Sequence, residues 1–529
     1  MRSGLRRGLS GARVVLGVLV AVLWCLPALG CTSVFVGKGA SATGHVMIAR
    51  NEDYRGGWAK HFRVVPSRPV AKGEKQVFWS GMELGYPEGM TRTYRYFSVP
   101  DWPYDPSVDP RDPSQEYTPM DEVGINEKGV AVSATESQEI SPEAQKVTPL
   151  DGLIDESQIP SIILPRASTA REGVRIFGEA IEAFGSSEAG GFAVADPNEV
   201  WYVEFHGRVW AACRIPDDSY TVVPNQKVIS NFNPYDGENF MGSPSLLELV
   251  KNSGLLPKEE CTEEHVRAKG LDLAKAFGVL DWTYNGVRMW WGHRHFSPSK
   301  VQEPGRDSYP FLMTPDRKIT KLDVMEFLRS DNYPFTGYEN PVNGVKGKVR
   351  PVAVRRTVES HLVELGGVDG VSGDVGNVLW LSLGNPTGSV YMPFCQGLTR
   401  LPNSFTLGTD QPEAHSPYWS FYGASRKAQA HDDANGTDLE GAIKAYWRDY
   451  QVELIRSFEA FQAGARKLKG EDLAPLLNHQ AAVYSWRIVK AARGLQAELH
   501  RAISTKGEFR PVFKPDQVPR PEEVLGYPR

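Results

Sequence analysis

The feature that most constrains this chain is the junction at residues 28–31. Residues 1–30 carry Arg2, Arg6, Arg7 and Arg13 and no acid. They continue into a thirteen-residue apolar run from Val14 to Leu26, then Pro27, Ala28, Leu29 and Gly30. A basic start, a short apolar centre and small residues at −3 and −1 describe a secretory signal peptide. A run that short does not span a bilayer as a helix, which takes about 20 residues, and no later stretch is long and apolar enough. The mature chain is therefore expected to be exported, to the periplasm or the outside, with no integral membrane segment. Cleavage after Gly30 makes Cys31 its first residue. Two readings of that cysteine stand: lipidation, as in a bacterial lipoprotein, or ordinary cleavage at Ala28-x-Gly30 that leaves a free α-amine. Ala28 at −3 and Leu29 at −2 fit the lipoprotein pattern poorly, which favours the free amine.

Composition narrows the partners. With 41% hydrophobic and 23% charged residues, the chain has ordinary globular values. The net charge of −5 falls to −9 once the four leader arginines are gone. There is no basic excess to neutralise phosphates, so nucleic acid is excluded as a partner. Five cysteines in 529 residues are too few for a disulfide scaffold. Cys25 leaves with the leader, and one disulfide at most can form among Cys213, Cys261 and Cys395. His293-x-His295 lacks a His-Glu-x-x-His pattern and a third ligand, and the Gly-rich stretch Val368–Val375 lacks the strand-to-helix context of a phosphate loop. No metal or other cofactor is expected.

Along the chain, Thr32–Val36 and His45–Ala49 read as a hairpin. With its turn near Ala40–Ser41, Cys31 lies across from Arg50. Residues 66–120 read as long loops, and Val123–Ser133 as two short strands around a turn. Ser168–Phe184 has helical spacing. A β-meander follows over Gly191–Ala195, Val200–Phe205 and Val209–Ile215, with Tyr220–Val223 after it. Leu322–Leu328 reads as helical, and Val378–Leu383 and Ser389–Met392 as late strands. Thr437 and Glu440 match a capping box at the head of one long amphipathic helix, and a second spans about Leu473 to Ile503. Many short strands followed by helices give an α+β chain with antiparallel sheets. The expected division is a signal peptide at 1–30, a main domain at 31–405, a C-terminal helical region at 406–503 and a Pro-rich, extended tail at 504–529. The two C-terminal helices are candidates for completing a layer, covering the pocket or joining copies in a homo-oligomer.

A cysteine at a free N-terminus has a base built into its own residue. The thiol titrates near about 8.5 and the α-amine near about 7.7–8.0. The amine can take the thiol proton and later protonate a leaving amine, which is the nucleophile-plus-base arrangement that covalent acyl transfer needs.

Cys31-Thr32-Ser33-x-x-Val36-Gly37-Lys38 and Arg50-Asn51-Glu52-Asp53 resemble the opening of the dipeptidase A and secernin family of N-terminal-nucleophile hydrolases. The resemblance continues through Gly124-Ile125-Asn126-Glu127-x-Gly129 to Glu136, Ala167–Glu172, Ala195-Asp196-Pro197-Asn198-Glu199-Val200-Trp201, Arg214–Asp218, Tyr391–Phe394 and Ser416–Trp419. It implies an αββα sandwich of two antiparallel sheets between helix layers, and a thiol-dependent peptidase acting on dipeptides and short peptides. It makes Cys31 the nucleophile, places Arg50 beside the thiol to favour the thiolate, and has Asp53 accept a hydrogen bond from the Cys31 amine. Asn225 matches the oxyanion-hole asparagine of related acylases. Arg288 resembles a further active-site arginine, with Arg294 close enough in sequence to be confused with it. Counted from Asn126 as in bile-salt hydrolases, Glu136 falls where a backbone N–H serves the oxyanion hole, and its carboxylate could bind a substrate's α-ammonium. The function expected is thus an exported cysteine dipeptidase. The alternatives are a linear-amide acylase of the penicillin V or bile-salt type, or a non-catalytic lipoprotein or binding protein.

Overall fold

A computed structural model describes residues 30–102, 120–300, 302–306, 308–341, 348–366, 371–466 and 473–526. The leader expected over 1–30 lies outside the described residues except for Gly30, as does part of the Gly-rich stretch at 368–375. The first strands are β1 (Thr32–Val36), β2 (Val46–Asp53), β3 (Arg63–Val65), β4 (Lys75–Val77), β5 (Glu83–Gly85), β6 (Tyr96–Pro100), β7 (Asp121–Asn126) and β8 (Ala131–Ser137). Then come β9 (Ala189–Ala195), β10 (Val200–His206), β11 (Val209–Ile215), β12 (Tyr220–Val223), β13 (Phe240–Gly242), β14 (Thr357–Leu365), β15 (Val378–Leu383) and β16 (Met392–Cys395). A six-stranded sheet runs β12-β1-β2-β14-β15-β16 and an eight-stranded sheet runs β13-β11-β10-β9-β8-β7-β6-β3, while β4 and β5 form a separate hairpin. Neighbouring strands pair antiparallel throughout.

Strand alternation builds the layers. On β10, Trp201, Val203 and Phe205 face the helix Ala170–Phe184, while Val200 and Tyr202 face the other sheet. Phe35 of β1 meets Tyr202 across that space at 5.5 Å between ring centroids. Thr169 caps the Ala170–Phe184 helix by accepting from Glu172 N, leaving fewer orphan amides at its start. The six-stranded sheet is covered by Val287–Phe296, Lys321–Leu328 and three long helices, Pro417–Asn435, Leu439–Ala465 and Leu473–Thr505. The result is the αββα sandwich expected. No helix among the described residues is long and apolar enough to cross a membrane.

Three expectations are corrected. Residues 66–120 hold more than loops: Tyr96–Pro100 is a strand buried along its whole length between β3 and β7, hidden in a Pro- and aromatic-rich sequence. The tail is not extended throughout its described part: Phe509, Val518 and Val524 are buried and a short helix, Pro521–Leu525, lies on Leu439–Ala465. The C-terminal region holds three long helices, one more than periodicity predicts. Pro417–Asn435 is capped by Ser416, but its apolar residues gather at its start instead of recurring along a stripe.

One carboxylate ties two helices of the outer layer to the sheet and to the β1–β2 hairpin. Glu364 of β14 meets Lys321 at 3.0 Å and His45 at 3.1 Å, and Lys321 also reaches Glu459 at 3.0 Å. Burial raises the Glu364 pKa, but Lys321 and His45 outweigh burial and bring it down to about 2. A depressed carboxylate stabilises the fold above its unfolded pKa of about 4.3 and loses that contribution as pH falls. The difference in unfolding free energy between wild type and Glu364→Gln, from urea titrations, is therefore expected to be largest near neutral pH. It should shrink between about 4.3 and about 2.

Candidate functional site

Cys31 stands one residue before β1, and the β1–β2 hairpin carries it to the end of β2. The register pairs Ser33 with Arg50 and Thr32 with Asn51, so Cys31 is two residues away from the partner expected for it. A slip of two residues keeps every side chain on its own face. Arg50 therefore still faces the way Cys31 does and reaches it diagonally, Nη2 donating to Cys31 Sγ at 2.9 Å. Its Nη1 crosses the space between the sheets and donates to Glu122 Oε2 of β7 at 2.7 Å. Glu122 Oε1 faces Lys60 Nζ at 3.9 Å, and Lys60 holds Asp101 at 2.6 Å and Glu52 at 2.8 Å. All of these residues are buried.

Two further arginines hold the backbone around residue 31. The carbonyl of Gly30 accepts from Arg350 and that of Cys31 from Arg288. Arg350 also pairs with Asp53, whose second oxygen accepts from Thr357 Oγ1 at 2.5 Å. The Asp53 carboxylate, expected to receive the Cys31 amine, is thus engaged by Arg350 and Thr357, while the Asp53 backbone N–H supports the sulfur. Arg288 spreads its guanidinium over Thr32 Oγ1 at 2.8 Å, Asn225 Oδ1 at 3.0 Å, Asn285 Oδ1 at 2.8 Å and Tyr284 O at 2.8 Å. Arg294 is exposed on the same helix, its guanidinium 5.9 Å from the Trp290 ring centroid. Because Arg288 takes Asn225 Oδ1, the amide presents Nδ2 to Ser137 O at 3.0 Å. A side chain at position 30 would collide with Tyr284 Oη and Asn225 Oδ1. Burial pushes the Cys31 thiol up to about 12 against the pull of Arg50.

Of the sequence-derived residues, Cys31, Arg50, Asp53, Asn225 and Arg288 converge. Glu136 lies on β8 opposite Gly191, at an irregularity of the register, and its side chain lies outside the described residues. Glu122, Arg350, Asn285 and Thr357 are additions from the structure. Asn285 sits in the segment that held Arg288 and Glu122 two residues before the Gly124 motif, so both had a sequence signal nearby. Arg350 had none.

Two patterns that mimic chemistry are structural. Ser133 Oγ, His361 Nε2, His361 Nδ1 and Glu359 Oε1 line up at 2.8 Å and 2.9 Å like a hydroxyl–imidazole–carboxylate relay, but all three residues are sealed between the sheets and join β8 to β14. His293 is buried beside Tyr220 and Tyr309, while His295 Nε2 turns to Asp323 O at 3.1 Å. Residues two apart on a helix do not share a face. Among the described residues no group of three His, Cys, Asp or Glu side chains is placed to hold a metal. The four described cysteines, Cys31, Cys213, Cys261 and Cys395, are all free and buried.

Acyl transfer to sulfur is what a guanidinium-bonded thiol beside an amide donor can carry out, and the class this defines on an antiparallel four-layer scaffold is a cysteine hydrolase. The chain belongs to peptidase family C69, whose sequence profile matches residues 30–445. It is 32% identical over 440 residues to a probable dipeptidase of Latilactobacillus sakei, covering 80% of this chain and 84% of that one. It is 33% identical over 393 residues to a probable dipeptidase of Salmonella dublin, covering 72% and 84%. With dipeptidase A of Lactobacillus helveticus it shares 30% over 390 residues, covering 71% and 77%. Among solved structures, a mutant of the conjugated bile acid hydrolase from Clostridium perfringens overlaps 67% of this chain and 89% of its own at 13% identity, with a TM-score of 0.29. The fold assignment therefore rests on the sheet order above.

Lysine at position 288 would keep the charge but lose the planar fork that serves five acceptors at once. Arg288→Lys is expected to lower kcat/KM on a dipeptide about 10²-fold, the scale of losing one oriented oxyanion donor, with the far-UV circular dichroism spectrum unchanged.

Proposed function

We propose that this protein is an exported dipeptidase that uses Cys31, freed as the N-terminal residue, as its nucleophile. The observation that carries the proposal is the 2.9 Å hydrogen bond from Arg50 Nη2 to Cys31 Sγ, made at the residue where a leader peptidase is expected to create a free amine. Removal of residues 1–30 exchanges the Gly30–Cys31 amide nitrogen for an α-amine and vacates the space beside Tyr284 and Asn225. The amine takes the thiol proton, and Arg50 stabilises the thiolate. The sulfur attacks the peptide carbonyl carbon, and the oxyanion that develops is met by the Asn225 amide. Collapse breaks the C–N bond, and the ammonium of Cys31 gives its proton to the departing amine. A thioester joins the acyl half of the peptide to Cys31. Water then attacks the thioester while the amine accepts a proton, and the acid is released with the thiol restored.

The dipeptidase relatives support free short peptides as substrates. A free dipeptide carries an α-ammonium, and Glu136, on the strand whose Ser137 carbonyl holds Asn225, is the acid we assign to it.

Mass spectrometry of the secreted protein is expected to find Cys31 at the N-terminus with an unmodified amine, and Cys31→Ala is expected to abolish peptide hydrolysis. Diacylglycerol on Cys31, cleavage elsewhere, or an active Cys31→Ala variant would sink the mechanism. Glu136→Gln is expected to weaken kcat/KM for free dipeptides by about tenfold or more while leaving N-acylated dipeptides nearly unchanged, since only the former lose an ion pair. Equal losses on both would remove Glu136 from ammonium recognition.

A further inference from the structure

Of the acids between the two sheets that the acyl-transfer steps above do not use, Glu122 is the one that meets Arg50. We infer that Glu122 is a positioning residue for the Cys31 thiolate, acting through the guanidinium of Arg50. The inference rests on Cys31 being the nucleophile, as proposed above.

A guanidinium presents its N–H donors in one rigid plane. Holding one terminal nitrogen therefore aims the other. Glu122 Oε2 holds Nη1 at 2.7 Å, and Nη2 then lies 2.9 Å from Sγ. Arg50 and Cys31 belong to the same sheet and Glu122 to the facing one, so the acid draws the guanidinium into the inter-sheet space, where the sulfur lies. Without that anchor, the N–H···S contact would be one orientation among several for a long side chain.

Glu122 is itself supported. Lys60, fully buried and held by Asp101 and Glu52, faces its other oxygen. Burial and then Glu122 raise the Glu52 pKa well above its ordinary value, against the pull of Lys60. Burial works against the Lys60 charge, but Asp101, Glu52 and Glu122 outweigh it and hold the ammonium. Across this layer Arg50 and Lys60 thus face the carboxyls of Glu122, Asp101 and Glu52. Among the described residues, further ionisable groups near this layer are His361 and Glu359, opposite Arg50 and Glu52 on β14, and Glu188, which Glu122 and Glu156 both act on; Asp53 and Glu156 oppose ionisation of Cys31.

Glu122 thus has two effects of opposite sign. It aims Arg50 at the sulfur, which favours the thiolate contact, and its negative charge offsets part of the Arg50 field at the sulfur. Glu122→Gln keeps an acceptor for Nη1 and removes the charge, whereas Glu122→Ala removes both.

The test uses the mature enzyme with two readouts: kcat/KM for a dipeptide against pH, and the pH dependence of Cys31 alkylation by iodoacetamide, located by peptide mass spectrometry. Glu122→Gln is expected to keep kcat within about fivefold and to move the alkylation midpoint about half a unit to one unit lower, the direction expected when an anion near the thiol is removed. Glu122→Ala is expected to lose about 10²-fold in kcat/KM, and Arg50→Ala/Glu122→Ala to be no slower than Arg50→Ala alone, because residues acting as one unit are not additive. An unmoved alkylation midpoint in Glu122→Gln, or losses from Arg50→Ala and Glu122→Ala that multiply, would overturn the inference. Should Glu122→Ala not fold, the Glu122→Gln midpoint decides alone. Failure of the underlying reading looks different: Cys31→Ala would then hydrolyse dipeptides, whatever the Glu122 variants do to alkylation.

Discussion

A guanidinium placed between two sheets has to be paired, because leaving a buried charge alone costs several kcal/mol, and the site is organised by that requirement. Arg50 is 1% exposed and divides its donors between a sulfur in its own sheet and a carboxylate in the other. The surrounding register shows how the layer is prepared for it. Phe35, Ile48 and Val363 lie side by side on β1, β2 and β14; Ser33, Arg50 and His361 come next; Glu52 and Glu359 follow, in line with Cys31. Three neighbouring strands therefore change from apolar to polar or charged in step, and a period of two keeps all of these side chains on the inward face. The sandwich is apolar at one end of these strands and gathers its buried charges at the other.

Around residue 31 the positive charges have separate tasks. Arg50 serves the sulfur, while Arg288 and Arg350, both buried, serve the carbonyls on either side of the Cys31 nitrogen. Asp53 is the acid that balances this second pair, and it does so through Arg350. Fixed donors in a water-poor site act on developing negative charge without having to reorganise. The same arrangement explains why a glycine stands at position 30, since Tyr284 and Asn225 already fill the space a side chain would need.

What the sequence could show follows from which interactions are local. The meander from Val200 to Ile215, the helix from Ala170 and the helix from Leu473 were legible because periodicity and turn residues mark them within a few positions. Cys31, Arg50, Asp53, Asn225 and Arg288 were legible through motifs. The crossing of β12 from the meander to the edge of the other sheet was not, because nothing in Tyr220–Val223 states which sheet it joins. Nor was Arg350, which is 297 positions from its partner Asp53 in a stretch without periodicity. The hairpin register came out two residues wrong, which left the facing of Arg50 correct although its opposite residue was not.

Burial raises the pKa of each of the four described cysteines, so exposure alone does not select a nucleophile among them. Cys395 has burial and Asp374 acting against ionisation. For Cys213, burial and Glu204 stand against a single neighbouring Arg214, and its Sγ donates to the Arg214 carbonyl rather than accepting from a cation. Cys31 accepts directly from a guanidinium at 2.9 Å. The low dielectric that disfavours ionisation of all four thiols also strengthens this hydrogen bond, since the same charge acts over the same distance with less screening. All four thiols thus share the upward push of burial, and Cys31 differs from them in the guanidinium that is hydrogen-bonded to its sulfur.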